Sequence, residues 1–164
     1  MALTTAQLTT LKADIQGNAN QTVIDALAAG AHNTIAAWYN QLASPDFYMY
    51  RSLVPLDEVS AAIELDDVAN MTTGDNDKLK TIYAVRQSGV FASKASDRVG
   101  FDDIFSSAAG DDSQQALAAL WRRQATEIEK LLAGGAGVGT IGDPADAVFE
   151  GNISSGEITS ALNS

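Results

Sequence analysis

Four adjacent acidic pairs punctuate the sequence: Asp57-Glu58, Asp66-Asp67, Asp102-Asp103 and Asp111-Asp112. Two carboxylates held side by side could trade a proton or grip a divalent cation, the chemistry of a small hydrolase. Adjacent residues on a helix point in different directions, so none of the four is a ready-made dyad. Helix starts explain them more simply, because acidic side chains complement the positive end of the helix dipole. Asp75-Asn76-Asp77 matches the opening of a calcium loop but lacks the glycine and the distal glutamate that complete one. Gly137-Val138-Gly139-Thr140-Ile141-Gly142 matches the dinucleotide pattern GxGxxG. That pattern works after a strand and before a helix, where the pyrophosphate meets the helix N-terminus. Here a helical stretch precedes it and Asp143-Pro144 follows, so a flexible hinge is the better reading. His32, the single histidine, sits beside Asn33 and Thr34 at a helix start, and no GxSxG offers it a serine partner. With no cysteine there is no thiolate nucleophile and no cysteine-bound zinc. No catalytic, cofactor-binding or metal residue is therefore assigned, and the chain is not expected to be an enzyme.

The totals narrow the class further. The chain has 164 residues, 46% of them hydrophobic, which suits one helical body and an appendage. Its net charge is −11, and its 10 Lys and Arg are scattered, with only Arg122-Arg123 adjacent. Tight nucleic-acid binding needs a clustered basic face, so DNA is not an expected ligand. No apolar run approaches the roughly 20 residues of a membrane helix. The start, Met-Ala-Leu-Thr-Thr-Ala-Gln-Leu, lacks the basic and apolar regions of a signal peptide. The expected setting is the cytoplasm or the inside of an assembled particle.

The elements that must position these residues read as helices. Thr4 or Thr5 caps a first helix to about Gln16, broken at residues 17–20. A helical turn from Thr22 to Ala29 ends at Gly30, and a clear helix follows from Ala31 to Leu42, with Ile35, Trp38, Tyr39 and Leu42 inward. Ser44-Pro45 ends it. Residues 47–53 are aromatic and too short for periodicity to decide between strand and helix. Pro55 opens a helix through Ile63, Asp66-Asp67 a turn to Met71, and Asp75 a helix to Gln87. Another runs from Ser96 to about Ser107, and Ala108-Ala109-Gly110 links it to the next. The longest expected helix spans Asp111 to Leu132, about 30 Å at ~1.5 Å per residue. It has no Gly or Pro inside, and Leu117, Leu120, Trp121, Ile128, Leu131 and Leu132 fall on one stripe.

Composition changes after Ala133. Gly134-Gly135 is a stop signal, and residues 134–142 hold five glycines. Val148-Phe149-Glu150 reads as a short strand. Ser154 to Glu157 matches a capping box, opening a last helix to about Leu162. The expected organisation is an all-α helical bundle over residues 1–133, followed by an extended C-terminal arm over 134–164 that packs on its own body or on a neighbour. Its candidate contacts are Val148, Phe149, Glu150, Ile153, Ile158 and Leu162. Arg122, Arg123 and Lys130, on the polar side of the long helix, are either a solvated face or a docking face for an acidic neighbour.

Two stretches carry a family likeness. One is Leu53-Val54-Pro55-Leu56-Asp57-Glu58-Val59 with Met71-Thr72-Thr73-Gly74 and its helix. The other is Ala119-Leu120-Trp121-Arg122-Arg123-Gln124-Ala125-Thr126-Glu127-Ile128-Glu129-Lys130-Leu131-Leu132-Ala133-Gly134-Gly135, continuing to Asp143-Pro144 and Val148-Phe149-Glu150-Gly151. Together they resemble small virion structural proteins of tailed bacteriophages, and the order of parts resembles the head-to-tail adaptors of short-tailed phages. The likeness runs from about Leu53 to Gly151. Asp75 stands where the pattern has Lys or Arg after Thr73-Gly74. The resemblance implies a homo-oligomeric, twelve-fold ring at the head-tail junction, touching the portal protein and a tail or nozzle protein, with DNA passing through unbound. It implies assembly in the host cytoplasm and no catalytic residue. Other readings are a head-decorating or tail-tube protein, a small acidic phage enzyme, or an inhibitor that imitates DNA.

Overall fold

Thr4 accepts from the Gln7 backbone while the Gln7 side chain returns to the Thr4 backbone, so a complete capping box starts the first helix. In the computed structural model, which describes residues 2–106 and 110–164, that helix is α1 (Thr5–Gly17). It is followed by α2 (Gln21–Ala28), α3 (His32–Tyr39), β1 (Tyr48–Tyr50), α4 (Leu56–Ala61), α5 (Leu65–Asn70), α6 (Thr73–Val85) and α7 (Ala95–Ile104). The chain continues through α8 (Asp111–Leu120), β2 (Arg122–Gln124), α9 (Glu127–Leu131) and α10 (Ser155–Leu162). The two strands pair with each other, and the fold class is all-α as expected. The expected link at residues 108 and 109, and the end of the preceding helix at Ser107, lie outside the described residues; α7 ends at Ile104.

The chain divides into two compact units, Met1–Met49 with Gln124–Ser164, and Tyr50–Arg123. This division falls elsewhere than the expected boundary at Ala133. The reason is where the C-terminal apolar residues go. Phe149, Ile153, Ile158 and Ala161 are buried in one cluster with Leu11, Ile15, Ile35 and Ile128. In this first unit α10 packs on α1 and α3, and α9 packs on the same two helices. Burying a large aliphatic or aromatic side chain contributes roughly 1.5–3 kcal/mol, so the C-terminal segment is a structural part of its own unit. Of the two places foreseen for it, its own body is the one seen.

The second unit has its own core, built from Val54, Val59, Phe101, Phe105, Leu117 and Trp121. Phe101 and Trp121 meet with ring centroids 5.4 Å apart. Helix α8 lies against α4 and α5, and α6 against α7. Polar bonds fix the helix ends. Asp67 accepts from the Ser113 N–H at 2.8 Å, and the Ser113 hydroxyl accepts from the Glu64 N–H at 2.9 Å. Arg86 donates to the buried Asp97 at 2.7 Å, and Asp97 also accepts from the Phe91 N–H at 3.3 Å.

The expected 22-residue helix is not continuous. It stops at Leu120, becomes strand β2, and restarts at Glu127. On one straight stripe Trp121 and Ile128 would face one core, but Trp121 belongs to the core of the second unit and Ile128 to that of the first. The break lets the chain serve both. Its restart is a second capping box, with Thr126 accepting from the Glu129 N–H and Glu129 accepting from the Thr126 N–H. Helix α3 also ends early, at Tyr39, which leaves Leu42 exposed instead of inward.

Candidate functional site

The glycine-rich segment after α9 is a folded loop, held at its base, where an open hinge was expected. The Gly139 carbonyl accepts from the Tyr48 N–H at 2.8 Å, and the Tyr48 carbonyl accepts from the Ala145 N–H at 2.9 Å. Asp143 organises the tip. Its carbonyl accepts from the N–H groups of Val138 and Gly139 at 3.2 and 3.0 Å, its carboxylate accepts from Val138, and its own N–H reaches the Thr140 hydroxyl at 3.1 Å. Glycine is required at two places. Gly139 has φ +78°, and a Cβ there would lie 2.0 Å from the Phe47 ring; Gly137 has φ +88°, with the Pro144 carbonyl oxygen 2.1 Å from that position. Both left-handed backbone and close approach exclude other residues.

This geometry answers the GxGxxG pattern. The amides of Val138 and Gly139, which would have to face a pyrophosphate, are bonded to Asp143 of the same loop. No helix follows: the chain goes through bends to a bridge between Ala145 and Met49. The expected strand at 148–150 is replaced by bends, because Phe149 turns into the core and Gly151 donates to Glu129.

The loop presents aliphatic side chains to solvent. Val138 is 69% exposed, Ile141 54% and Val148 60%. Of the residues expected to meet a partner, Val148 and Glu150 are exposed, Leu162 is half-buried, and Arg122, Arg123 and Lys130 are half-buried. Phe149, Ile153 and Ile158 are corrected: all three lie inside their own unit's core, where no neighbour can reach them. Lys130 is tied to its own unit, 4.0 Å from Glu127 and 3.5 Å from the Pro45 carbonyl. Sequence reading did not single out Val138 and Ile141. Their signal was present, aliphatic residues in a glycine-rich run with no helical or strand face to join.

The other chemistry-bearing residues are dispersed. Glu58 forms a two-bond pair with Arg51 at 2.6 and 3.1 Å, which lowers its pKa from the ordinary carboxylate value. Asp75 is lowered by hydrogen bonds from Thr72 and Lys78, and sits in the first turn of α6. Asp57-Glu58, Asp66-Asp67 and Asp111-Asp112 all occupy first turns. Asp102-Asp103 departs from that pattern and lies near the end of α7. His32 is in the first turn of α3, its Nδ1 2.8 Å from the Thr159 hydroxyl. Among the described residues no three His, Asp or Glu side chains converge as metal ligands. One polar cleft of about 250 Å³ holds Asp14, Asn18, Trp38, Tyr39, Glu127 and Lys130. In it the Tyr39 hydroxyl donates to Asp14. Burial, then the bond to Asp14, pushes the Tyr39 phenol above its ordinary range, so it stays a proton donor there. Among the described residues no helix is long and apolar enough to cross a membrane. Compared with models of protein families, with curated proteins and with solved structures, the chain matches none.

Proposed function

We propose that the chain is a structural, non-catalytic component of a tailed-phage particle: a head-to-tail adaptor whose copies form a ring beneath the portal, join it to a tail or nozzle protein and let DNA pass. The feature that supports this reading most is the loop at residues 134–148. A scaffold of backbone bonds and required glycines holds Val138, Ile141 and Val148 out in solvent. Aliphatic residues held out in solvent by a bonded loop suit a protein contact, and a preformed loop loses little entropy when it docks.

The likeness of residues 53–151 to phage virion proteins supplies the setting. The chemistry agrees with it: the net charge of −11 repels packaged DNA instead of holding it. A ring repeats one modest contact many times, so each contact can be weak while the assembly is firm. The partner contacts fall to the loop and its flank, since the apolar residues of α10 are occupied within their own unit.

The test is electron microscopy of particles assembled without this chain. Filled heads that lack tails, or heads that leak DNA, are the expected result. Complete tailed particles would overturn the proposal, and loss of an outer layer from otherwise normal heads would assign the chain to head decoration.

A further inference from the structure

We infer that the chain cuts itself once, at the peptide bond between Asp143 and Pro144, through attack of the Asp143 carboxyl group on its own main-chain carbonyl. Self-cleavage goes beyond the adaptor reading and does not depend on it. Each chain reacts with itself and turns nothing over, so this is not enzyme activity.

The residue pair selects the reaction. Pro45 follows Ser44 and Pro55 follows Val54, and Pro144 alone follows an aspartate. Its nitrogen is a tertiary amide nitrogen without a hydrogen. An aspartyl side chain can close on the N–H of the next residue to give a succinimide, and here that route is shut. The route left is attack by a carboxyl oxygen on the Asp143 carbonyl carbon, which closes a five-membered cyclic anhydride.

The loop holds this carbonyl as an acyl-transfer site holds its substrate. The oxygen accepts from two backbone N–H groups, Gly139 at 3.0 Å and Val138 at 3.2 Å. Paired donors on one carbonyl oxygen draw electrons from its carbon and steady the negative charge that attack places on the oxygen. The Val138 N–H also lies 3.2 Å from Oδ2 of the Asp143 carboxylate. One donor thus grips the main-chain oxygen and the side-chain oxygen together, which keeps the carboxyl group beside the carbonyl it attacks. The backbone is pinned on both sides. The Asp143 N–H donates to the Thr140 carbonyl at 3.2 Å, and the Ala145 N–H donates to the Tyr48 carbonyl at 2.9 Å. An unfolded chain has none of these restraints.

Water is the only reagent needed. The carboxyl oxygen bonds to the Asp143 carbonyl carbon, the bond from that carbon to the Pro144 nitrogen breaks, and the carboxyl proton passes to that nitrogen, which leaves as a secondary amine. Asp143 is exposed, so water reaches the anhydride and opens it to two carboxyl groups. The products are residues 1–143 and 144–164. They stay together, because Phe149, Ile153, Ile158 and Ala161 are buried in the core of the first unit. The cut opens the loop into a free end that carries Val138 and Ile141.

The experiment is intact-mass spectrometry of the full chain in mildly acidic buffer, folded and in urea. Two fragments are expected, one ending at Asp143 and one starting at Pro144, their masses summing to the chain plus one water. The folded chain is expected to form them at least about tenfold faster than the unfolded one. Added hydroxylamine is expected to be captured on Asp143 as a hydroxamate, the mark of the anhydride. Asp143→Asn keeps an oxygen for the Val138 N–H but lacks the carboxyl nucleophile, and is expected to stay whole. No cut in the folded chain, a cut no faster than in urea, equal cutting of Asp143→Asn, or absence of the hydroxamate each overturns the inference.

Discussion

The Glu129 carboxylate holds two backbone N–H groups at once, that of Thr126 at 2.9 Å and that of Gly151, 22 residues further on, at 2.9 Å. One bond starts helix α9 and the other fastens the C-terminal segment to it. Glu129 is only 2% exposed, so the acid has been taken out of water to do this. The fastened segment carries Phe149, Ile153 and Ile158, all buried in the core of the same unit.

Replacing Glu129 by Ala leaves two part-buried bonds, from Thr126 and Gly151, without their acceptor. Bonds to a charged group contribute about 1.5–3 kcal/mol each, so Glu129→Ala is expected to cost about 3 kcal/mol of stability in chemical denaturation. Glu129→Gln keeps one carbonyl oxygen and is expected to cost less. Equal loss in both variants would show that the charge, and not the acceptor geometry, is what matters.

The loop offers a paired test in glycines three residues apart. A Cβ at Gly139 would fall 2.0 Å from the Phe47 ring with φ at +78°, whereas a Cβ at Gly142 meets nothing within 4 Å. Gly139→Ala is expected to destabilise by about 2 kcal/mol or more, and Gly142→Ala to change stability by less than about 0.5 kcal/mol. Thermal melting of the two variants checks this, and similar melting temperatures would contradict the packed loop.

Tyr39 gives a pH signature. Its phenol is held above its ordinary value of 10.0, so the folded state prefers the protonated form. The stability this brings is fully present below pH 10 and is lost as pH rises, because the unfolded chain ionises first. Unfolding above pH 10 is therefore expected to be steeper in the wild type than in Tyr39→Phe. Tyrosine absorbance should show one phenol ionising only as the protein unfolds. A Tyr39 that titrates near its ordinary value while the fold persists would contradict its burial against Asp14.

Much of the fold is legible in the amino-acid sequence alone. The capping patterns at Thr4 and Ser154, the breaks at Gly17 and Gly30, and the proline before α4 place helices where they are found. The departure at Trp121–Ala125 has a physical cause. Local propensity favours helix throughout 111–132, and only the need to supply two separate cores overrides it. A local clue exists in Thr126-Glu127-Ile128-Glu129, the same box as at Ser154–Glu157, but it lies inside a good helical stripe. The glycine loop differs from a hinge for another reason. Glycine signals freedom in the unfolded chain, yet at Gly137 and Gly139 it serves a close approach to Pro144 and Phe47 that no local pattern announces. The open space between α6 and α7 is illegible in the sequence because two of the residues that line it, Gly74 and Gly100, stand 26 positions apart.

The pair between half-buried Arg86 and buried Asp97 is a structural staple in the second unit. Asp97→Ala removes the partner of a half-buried guanidinium and the acceptor of the Phe91 N–H. A loss of about 3 kcal/mol is expected, read as a lower denaturant midpoint. An unchanged midpoint would show that solvent already satisfies Arg86.

The adaptor reading turns on whether many copies gather on one portal. Native mass spectrometry of the chain mixed with its phage's portal ring measures this directly. One copy bound per portal subunit, from a chain that is monomeric at the same low concentration alone, is the expected result. Absence of any complex, or a single copy on the whole ring, would contradict it.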